Sequence, residues 1–168
     1  MSNLMYSMSV PVFVRMLGNL SAILDKGAAF AETKKIEPAV LLNARLYPDM
    51  FPLTLQVRIA GDYAKGAAAR LTGNEPPKYE DSETTFAELR ARIARTLEYV
   101  QSHEPERFQG SDERDIELKI RGEMRRFKGT HYLAHIVLPN FYFHVTTAYG
   151  ILRHNGVELG KADFVNPL

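Results

Sequence analysis

Five histidines and two side-chain amides hold much of the chemistry this chain could perform. Four of the five histidines lie between Thr130 and Gly160, in THYLAHIVLPNFYFHVTTAYGILRHNGVELG. His131 and His135 stand one helical turn apart, the spacing of paired metal ligands. Nothing nearby offers a third donor, so they read as a surface or capping pair. His103 and His154 each fall in the last turn of a helical pattern, where an imidazole suits the negative end of the helix dipole. His144 is different. It stands amid Phe141, Tyr142, Phe143 and Tyr149, and a buried imidazole needs a partner on each nitrogen. Asn140 lies one turn before it on the same face. Gln56 sits on the apolar face of an earlier helix, where an unpaired amide would cost about 1–3 kcal/mol. If those two helices pack antiparallel, Gln56, Asn140 and His144 converge, with Tyr63 also on the Gln56 face. The expected pocket is therefore Gln56, Tyr63, Asn140 and His144, serving either a ligand or a satisfied structural cluster.

Four helical patterns must position these groups. The first runs from Val10 to about Ala31, with Ser9 as N-cap and Pro11 in the first turn. Phe13, Met16, Leu17, Leu20, Leu24 and Ala28 make its apolar stripe, while Arg15, Asn19 and Lys26 lie off it. Residues 38–51 read as a short helical turn and a loop broken at Pro48. The second helix spans Pro52 to about Leu71. It turns Leu53, Gln56, Ala60, Tyr63, Ala64 and Ala67 inward, and Thr54, Arg58, Asp62 and Lys65 outward. Small residues at Gly61, Gly66 and Ala67–Ala69 permit a close helix approach. An extended linker through Pro76-Pro77 leads to a capping box at Thr85 and Glu88. The third helix follows, with Phe86, Leu89, Ile93, Leu97 and Val100 inward and Arg90, Arg92, Arg95 and Glu98 outward, and stops at Glu104-Pro105.

Ile116, Leu118 and Ile120 then alternate with Glu117, Lys119 and Arg121, which is strand periodicity. A turn at Gly122-Glu123 into a second strand near Met124–Phe127 predicts a small hairpin. The fourth helix starts at a Thr130 cap. Pro139 should kink it or divide it at 138–139, since proline lacks an N–H and clashes with the carbonyl of His135. Beyond the proline this helix is apolar nearly all round, which predicts a dimer contact besides the core.

The bounds are those of one globular domain, residues 1–168. With 21 basic and 20 acidic residues the net charge is +1, giving no pull toward nucleic acid or a membrane surface. The absence of cysteine excludes disulfides, thiolate metal sites and a cysteine nucleophile. The first residues lack the basic segment and long apolar run of a signal peptide, and no stretch reads as the roughly 20 apolar residues that span a bilayer. A soluble cytoplasmic protein is expected.

The block LPNFYFHVTTAYGILRHNGVELGKADF, preceded by FPLTLQVRIAGDYAK, resembles the bacterial and fungal proteins of domain-of-unknown-function family 1993, in the DinB/YfiT-like superfamily. The resemblance covers nearly the whole chain. It implies an all-α, up-down-down-up four-helix bundle, with the hairpin as an excursion before the last helix. Superfamily members with a metal use three histidines, one on the second helix and an H-x3-H pair on the fourth. By the resemblance His144 takes the last of these places, Asn140 its partner's and Gln56 that of the second helix. Two amides for two imidazoles imply a degenerate site, holding zinc or nickel weakly if at all. Three functions stay open. The first is binding of an unidentified small molecule around His144. The second is a metal-dependent thiol transferase or isomerase with His144 as ligand or base. The third is a structural homodimer without catalysis.

Overall fold

The computed structural model describes residues 3–166. The chain opens with a single turn that the sequence did not announce, α1 (Leu4–Ser7), whose first turn is capped by Asn3 Oδ1 accepting from the Tyr6 amide at 3.3 Å. That turn takes Ser9 away from its expected role. Its hydroxyl donates back to the Met5 carbonyl at 2.6 Å, so α2 (Val10–Lys34) begins without a side-chain cap. The helix runs three residues past the predicted end and stops where Lys35 turns left-handed at φ 54°. The predicted stripe is buried from Phe13 to Leu24, and each such side chain is worth about 1.5–3 kcal/mol of burial. Asn19 departs from expectation. It is buried, because the C-terminal helix α8 (Lys161–Val165) crosses that face and its flanking carbonyls, Phe164 and Asn166, accept from Nδ2 at 2.9 and 3.3 Å.

Leu4–Lys34 also corrects the membrane estimate. Within these 31 residues a window of 18 reaches a mean hydropathy of 1.4, long and apolar enough to cross a bilayer, and half of that window is buried inside the bundle. An inner helix of a small bundle meets the same composition demands as a membrane span.

After α3 (Pro38–Leu42), α4 (Leu53–Leu71) starts directly behind Pro52, and α5 (Phe86–Gln101) starts in the predicted capping box. The Glu88 amide donates to Thr85 Oγ1 at 3.1 Å, and the Thr85 amide to Glu88 Oε2 at 3.0 Å. A 3₁₀ turn, Pro105–Phe108, leads to the antiparallel strands β1 (Asp115–Ile120) and β2 (Glu123–Lys128). The architecture is thus mainly helical with one two-stranded sheet. Ile120 pairs with Glu123, so the turn is Arg121-Gly122, one residue earlier than expected. Both turn residues have positive φ, 52° and 88°, the backbone that matches strand twist in a two-residue hairpin.

The last helix begins as α6 (Gly129–His131), widens into a π segment at Tyr132–Val137 and continues as α7 (Leu138–His154). The regular α-helix thus resumes at Leu138 with Pro139 in its first turn, close to the division expected at 138–139, while the chain stays helical through the junction. The wide turn just before the proline relieves the clash and the missing N–H that a regular helix would suffer there. Thr130 is not the cap; its hydroxyl donates to the Asp112 carbonyl at 3.2 Å. Helix entry instead depends on Gly129, where a Cβ would lie 1.7 Å from the Ser111 carbonyl oxygen.

The four long helices share one core. Phe13 meets Phe141 edge-on at 5.0 Å, and Gly27 leaves room for Leu152 and Phe86. α4 lies along both α5 and α7, and α2 along α5. The charged faces of α4 and α5 are only partly solvated: Arg90, Arg95 and Glu98 are exposed as the pattern suggested, and two residues are not. Lys65 and Arg92 are buried, because the linker folds back over them. Glu83 takes Arg58 Nε at 2.7 Å and Arg92 Nη1 at 2.9 Å, while Asp62 holds Arg92 Nη2 at 3.2 Å and pairs with Lys65. Tyr79 of the linker lies beneath Arg95, Lys65 and Arg92, at 4.0, 4.8 and 5.4 Å from its ring centre. The periodicity was that of an exposed face; the cover came from a segment with no periodicity.

Candidate functional site

Seven-residue spacing on α4 puts Gln56, Tyr63 and Arg70 on one side, two helical turns apart. α7 and its π extension lie against that side and bring His144 to Gln56, as predicted. Gln56 is 1% and His144 8% exposed. Gln56 Nε2 donates to the Phe51 carbonyl at 3.1 Å, and a carbonyl can only accept. That fixes the amide's orientation and turns Oε1 toward the imidazole, where His144 Nδ1 approaches to 2.6 Å. Nδ1 must therefore carry the proton. The Nε2 lone pair is left without a protein partner among the described residues, a neutral acceptor at physiological pH. Burial lowers the His144 pKa below its ordinary 6.5, which reinforces that state.

Two aromatic rings hold the imidazole. Tyr63 is nearly parallel to it, with centroids 6.0 Å apart and planes at 19°, and Phe143 meets it edge-on at 5.2 Å and 87°. Burial pushes the Tyr63 phenol up from 10.0, so it remains a protonated donor.

Asn140 does not join this pair. Its Nδ2 donates to the Ile136 carbonyl at 2.7 Å, back along its own helix. This is a local preference of the amide, which competes for the carbonyl one turn earlier; Asn43 and Asn155 bond back to Ala39 and Ile151 in the same way, at 2.9 and 2.8 Å. The predicted four-residue pocket is thus two neighbouring features. Gln56 and His144 form a buried hydrogen-bonded pair. Tyr63 and Asn140 line a cleft of 590 Å³ between α4, the π segment and the tip of the hairpin. Tyr63 belongs to both.

The cleft is also lined by residues that the sequence reading passed over: Arg70, Tyr132, Lys119 and Arg121. Arg70 Nη1 donates to the Tyr132 hydroxyl at 3.2 Å. The signal for Arg70 was available, since it follows Tyr63 by seven residues. Lys119 and Arg121 had none, because strand alternation does not say what a hairpin will cover.

The other histidines behave as expected. His131 and His135 are exposed, with rings 4.7 Å apart and Phe127 stacked on His131 at 5.6 Å. His103 Nδ1 donates to the Tyr99 carbonyl at 2.8 Å, at the end of α5.

The residues at the implied metal position do not fit a divalent ion. Two donors on one tetrahedral zinc, each about 2.0–2.1 Å from it, stand about 3.3 Å apart. Gln56 Oε1 and His144 Nδ1 are closer, at 2.6 Å, and share a proton. That leaves His144 Nε2 and the Asn140 amide oxygen, one imidazole and one neutral amide, too few and too weak a set for zinc or nickel. No group of three or more His, Asp or Glu side chains that could hold an ion occurs among the described residues.

No curated protein matches the chain. The crystal structure of a DinB family member from Shewanella denitrificans is similar over 97% of this chain and 92% of its own, with 48% identity and a TM-score of 0.91. The family described as domain of unknown function DUF1993 matches residues 5–165. With its helical frame, its hairpin before the last helix and a match over nearly its full length, this chain belongs to the DUF1993 family and is a DinB-like protein.

Proposed function

We propose that this DUF1993 protein binds a small molecule in the cleft between α4, the π segment and the hairpin, and that the Gln56–His144 pair sets the position of the cleft's Tyr63 wall. The observation that carries this reading is the locked amide–imidazole pair at 2.6 Å, which replaces a metal centre by a rigid, neutral brace stacked on Tyr63. The cleft's 590 Å³ falls in the range of about 300–1,000 Å³ usual for ligand sites. Both Tyr63 and Asn140 can meet a ligand, since the Asn140 oxygen has no protein donor among the described residues. In this reading the helices run up-down-down-up. That order is supported by Gln56 meeting His144 while Arg70 meets Tyr132, and by Phe13 and Gly27 of α2 meeting Phe141 and Leu152 in the same sense.

The test is a fragment screen by NMR on the labelled protein. Hits should shift the amides of Tyr63, Tyr132, Ile136 and Asn140, and Tyr63→Ala should weaken them by about tenfold, roughly 1.4 kcal/mol. A screen whose hits all map elsewhere defeats the reading.

One observation favours a transferase or isomerase as the second reading: the unpartnered Nε2 of His144, a base of fixed tautomer. Turnover of a thiol-conjugated substrate, abolished in His144→Gln, would establish it. The pairing of two copies belongs to the first reading as well. Phe143 and Phe51, 54% and 49% exposed, flank the Gln56–His144 pair and would be covered by a second chain. A dimer mass by light scattering at micromolar concentration is expected, and a monomer would refute it.

A further inference from the structure

We infer that the cleft beneath the hairpin tip holds a small organic carboxylate with an apolar or aromatic body. This rests on the ligand-binding reading above and adds the chemical class of the ligand.

Charge is the first support. Four charged residues line the cleft: Asp62, Arg70, Lys119 and Arg121. The one carboxylate among them is already engaged, by Lys65 and by Arg92 at 3.2 Å. Arg70, Lys119 and Arg121 have no carboxylate within ion-pair distance among the described residues, whereas Arg58, Arg90, Arg92, Arg125, Arg126, Lys26, Lys65 and Lys128 do. Three cations around one concave surface, with the one carboxylate that lines it already paired, leave a positive field that an anion completes.

Donor geometry is the second. Arg70 is half-buried and reaches the buried Tyr132 through Nη1, 3.2 Å from the hydroxyl. The phenol oxygen accepts that bond, so its own proton is free to donate, and it has no other partner among the described residues. A guanidinium edge beside a phenol O–H is the donor set a carboxylate takes, two oxygens against parallel or converging N–H and O–H groups. One half-buried arginine suits a monoanion; the two further cations stand at the exposed tip and bring attraction rather than a fixed grip.

The third is the backbone of the tip. Arg121 occupies a left-handed position, φ 52°, in a turn that favours Asn before Gly. An arginine is held there against its conformational preference, and it lines the cleft. The remaining wall is mainly apolar or aromatic, from Tyr63, Leu118, Ile120 and Ile136, with the Asn140 amide among them. A ligand must therefore present a carboxylate at the Arg70 end and a hydrophobic body toward Tyr63.

The experiment titrates the labelled full chain with phenylacetate, with its neutral analogue phenylacetamide and with inorganic phosphate, following amide shifts. Phenylacetate should saturate shifts at Tyr63, Arg70 and Ile136, and phenylacetamide should bind at least about tenfold more weakly. Arg70→Gln, checked for an unchanged circular dichroism spectrum, should lose about tenfold in phenylacetate affinity. Lys119→Gln, far from the core, should weaken binding and flatten its salt dependence; it carries the test if Arg70→Gln does not fold. Equal binding of phenylacetamide and phenylacetate overturns the carboxylate assignment while the cleft remains a ligand site. Saturation by phosphate at the same amides, as tightly as by phenylacetate, also overturns it. Unchanged affinity in both variants does so too. Shifts from none of the three probes overturn the ligand-binding reading itself.

Discussion

At the scale of single residues, the consequence of the Gln56–His144 pair is that neither partner can be removed alone without stranding a buried group. Gln56→Leu keeps the volume but leaves His144 Nδ1–H and the Phe51 carbonyl without partners. The expected loss is about 1–3 kcal/mol in urea denaturation, and a change within about 0.5 kcal/mol would mean the pair is hydrated rather than buried. The same pair gives the fold a pH dependence of known sign. Burial depresses the His144 pKa below 6.5, so the unfolded chain binds the proton more readily than the folded one. Its contribution is fully present above about pH 6.5 and declines as pH falls below it toward the folded value. Between pH 7.5 and 5 the wild type should lose more stability than His144→Gln. Parallel profiles would show that His144 titrates as freely folded as unfolded.

At the scale of elements, what was legible in the chain followed from local chemistry. The capping box at Thr85 and Glu88, the apolar stripe of α2 and the alternation of β1 are all consequences of neighbours within a few residues, and each appears where it was read. Gln56 meeting His144 was legible for a related reason: two polar side chains on otherwise apolar faces have few places to go. Asn140 lines the cleft but does not meet His144, because its amide bonds back to the carbonyl one turn earlier. A proline announces a disturbance and does not say whether a kink or a wide turn resolves it. The wide turn also decides which residues face the cleft, since Tyr132, Ile136 and Asn140 are placed by it. Asn140→Ala removes the donor to the Ile136 carbonyl and should cost about 0.5–1.5 kcal/mol. The hairpin supplies the opposite case. Arg121→Asn relieves a left-handed arginine in the Arg121-Gly122 turn and should raise the melting temperature by a few degrees, from a gain of about 1 kcal/mol. Phenylacetate affinity should fall in the same variant, so stability and binding move in opposite directions. A variant that gains neither stability nor loses affinity would place Arg121 outside both roles.

At the scale of the molecule, the bundle is closed on one side by a segment with no regular structure. Residues 72–85 carry Tyr79 and Glu83 across α4 and α5, and their charges interlock with Arg58, Arg92 and Asp62. The Arg92 and Glu83 side chains are only 4% and 11% exposed, so this is an interior network and not a screened surface pair. Burial alone would raise the Glu83 carboxyl; hydrogen bonds and charge from Arg92, with Arg58 behind, hold it below its ordinary 4.5. A carboxyl depressed in the folded state contributes stability that is present above about pH 4.5 and lost as pH falls below it. Glu83→Gln keeps the shape and removes the charge, leaving the buried Arg92 and the half-buried Arg58 guanidinium groups undercompensated. The expected loss is about 3 kcal/mol or more at pH 7, measured by guanidinium denaturation. Acid unfolding supplies the stricter check, because the variant lacks the titrating group: below pH 4.5 its stability should fall less steeply than that of the wild type, and the two curves should converge. Curves that stay parallel to the acid limit would mean that Asp62 and Asp81, the latter 3.1 Å from Arg92 Nη1, carry the network and that Glu83 only fills its place.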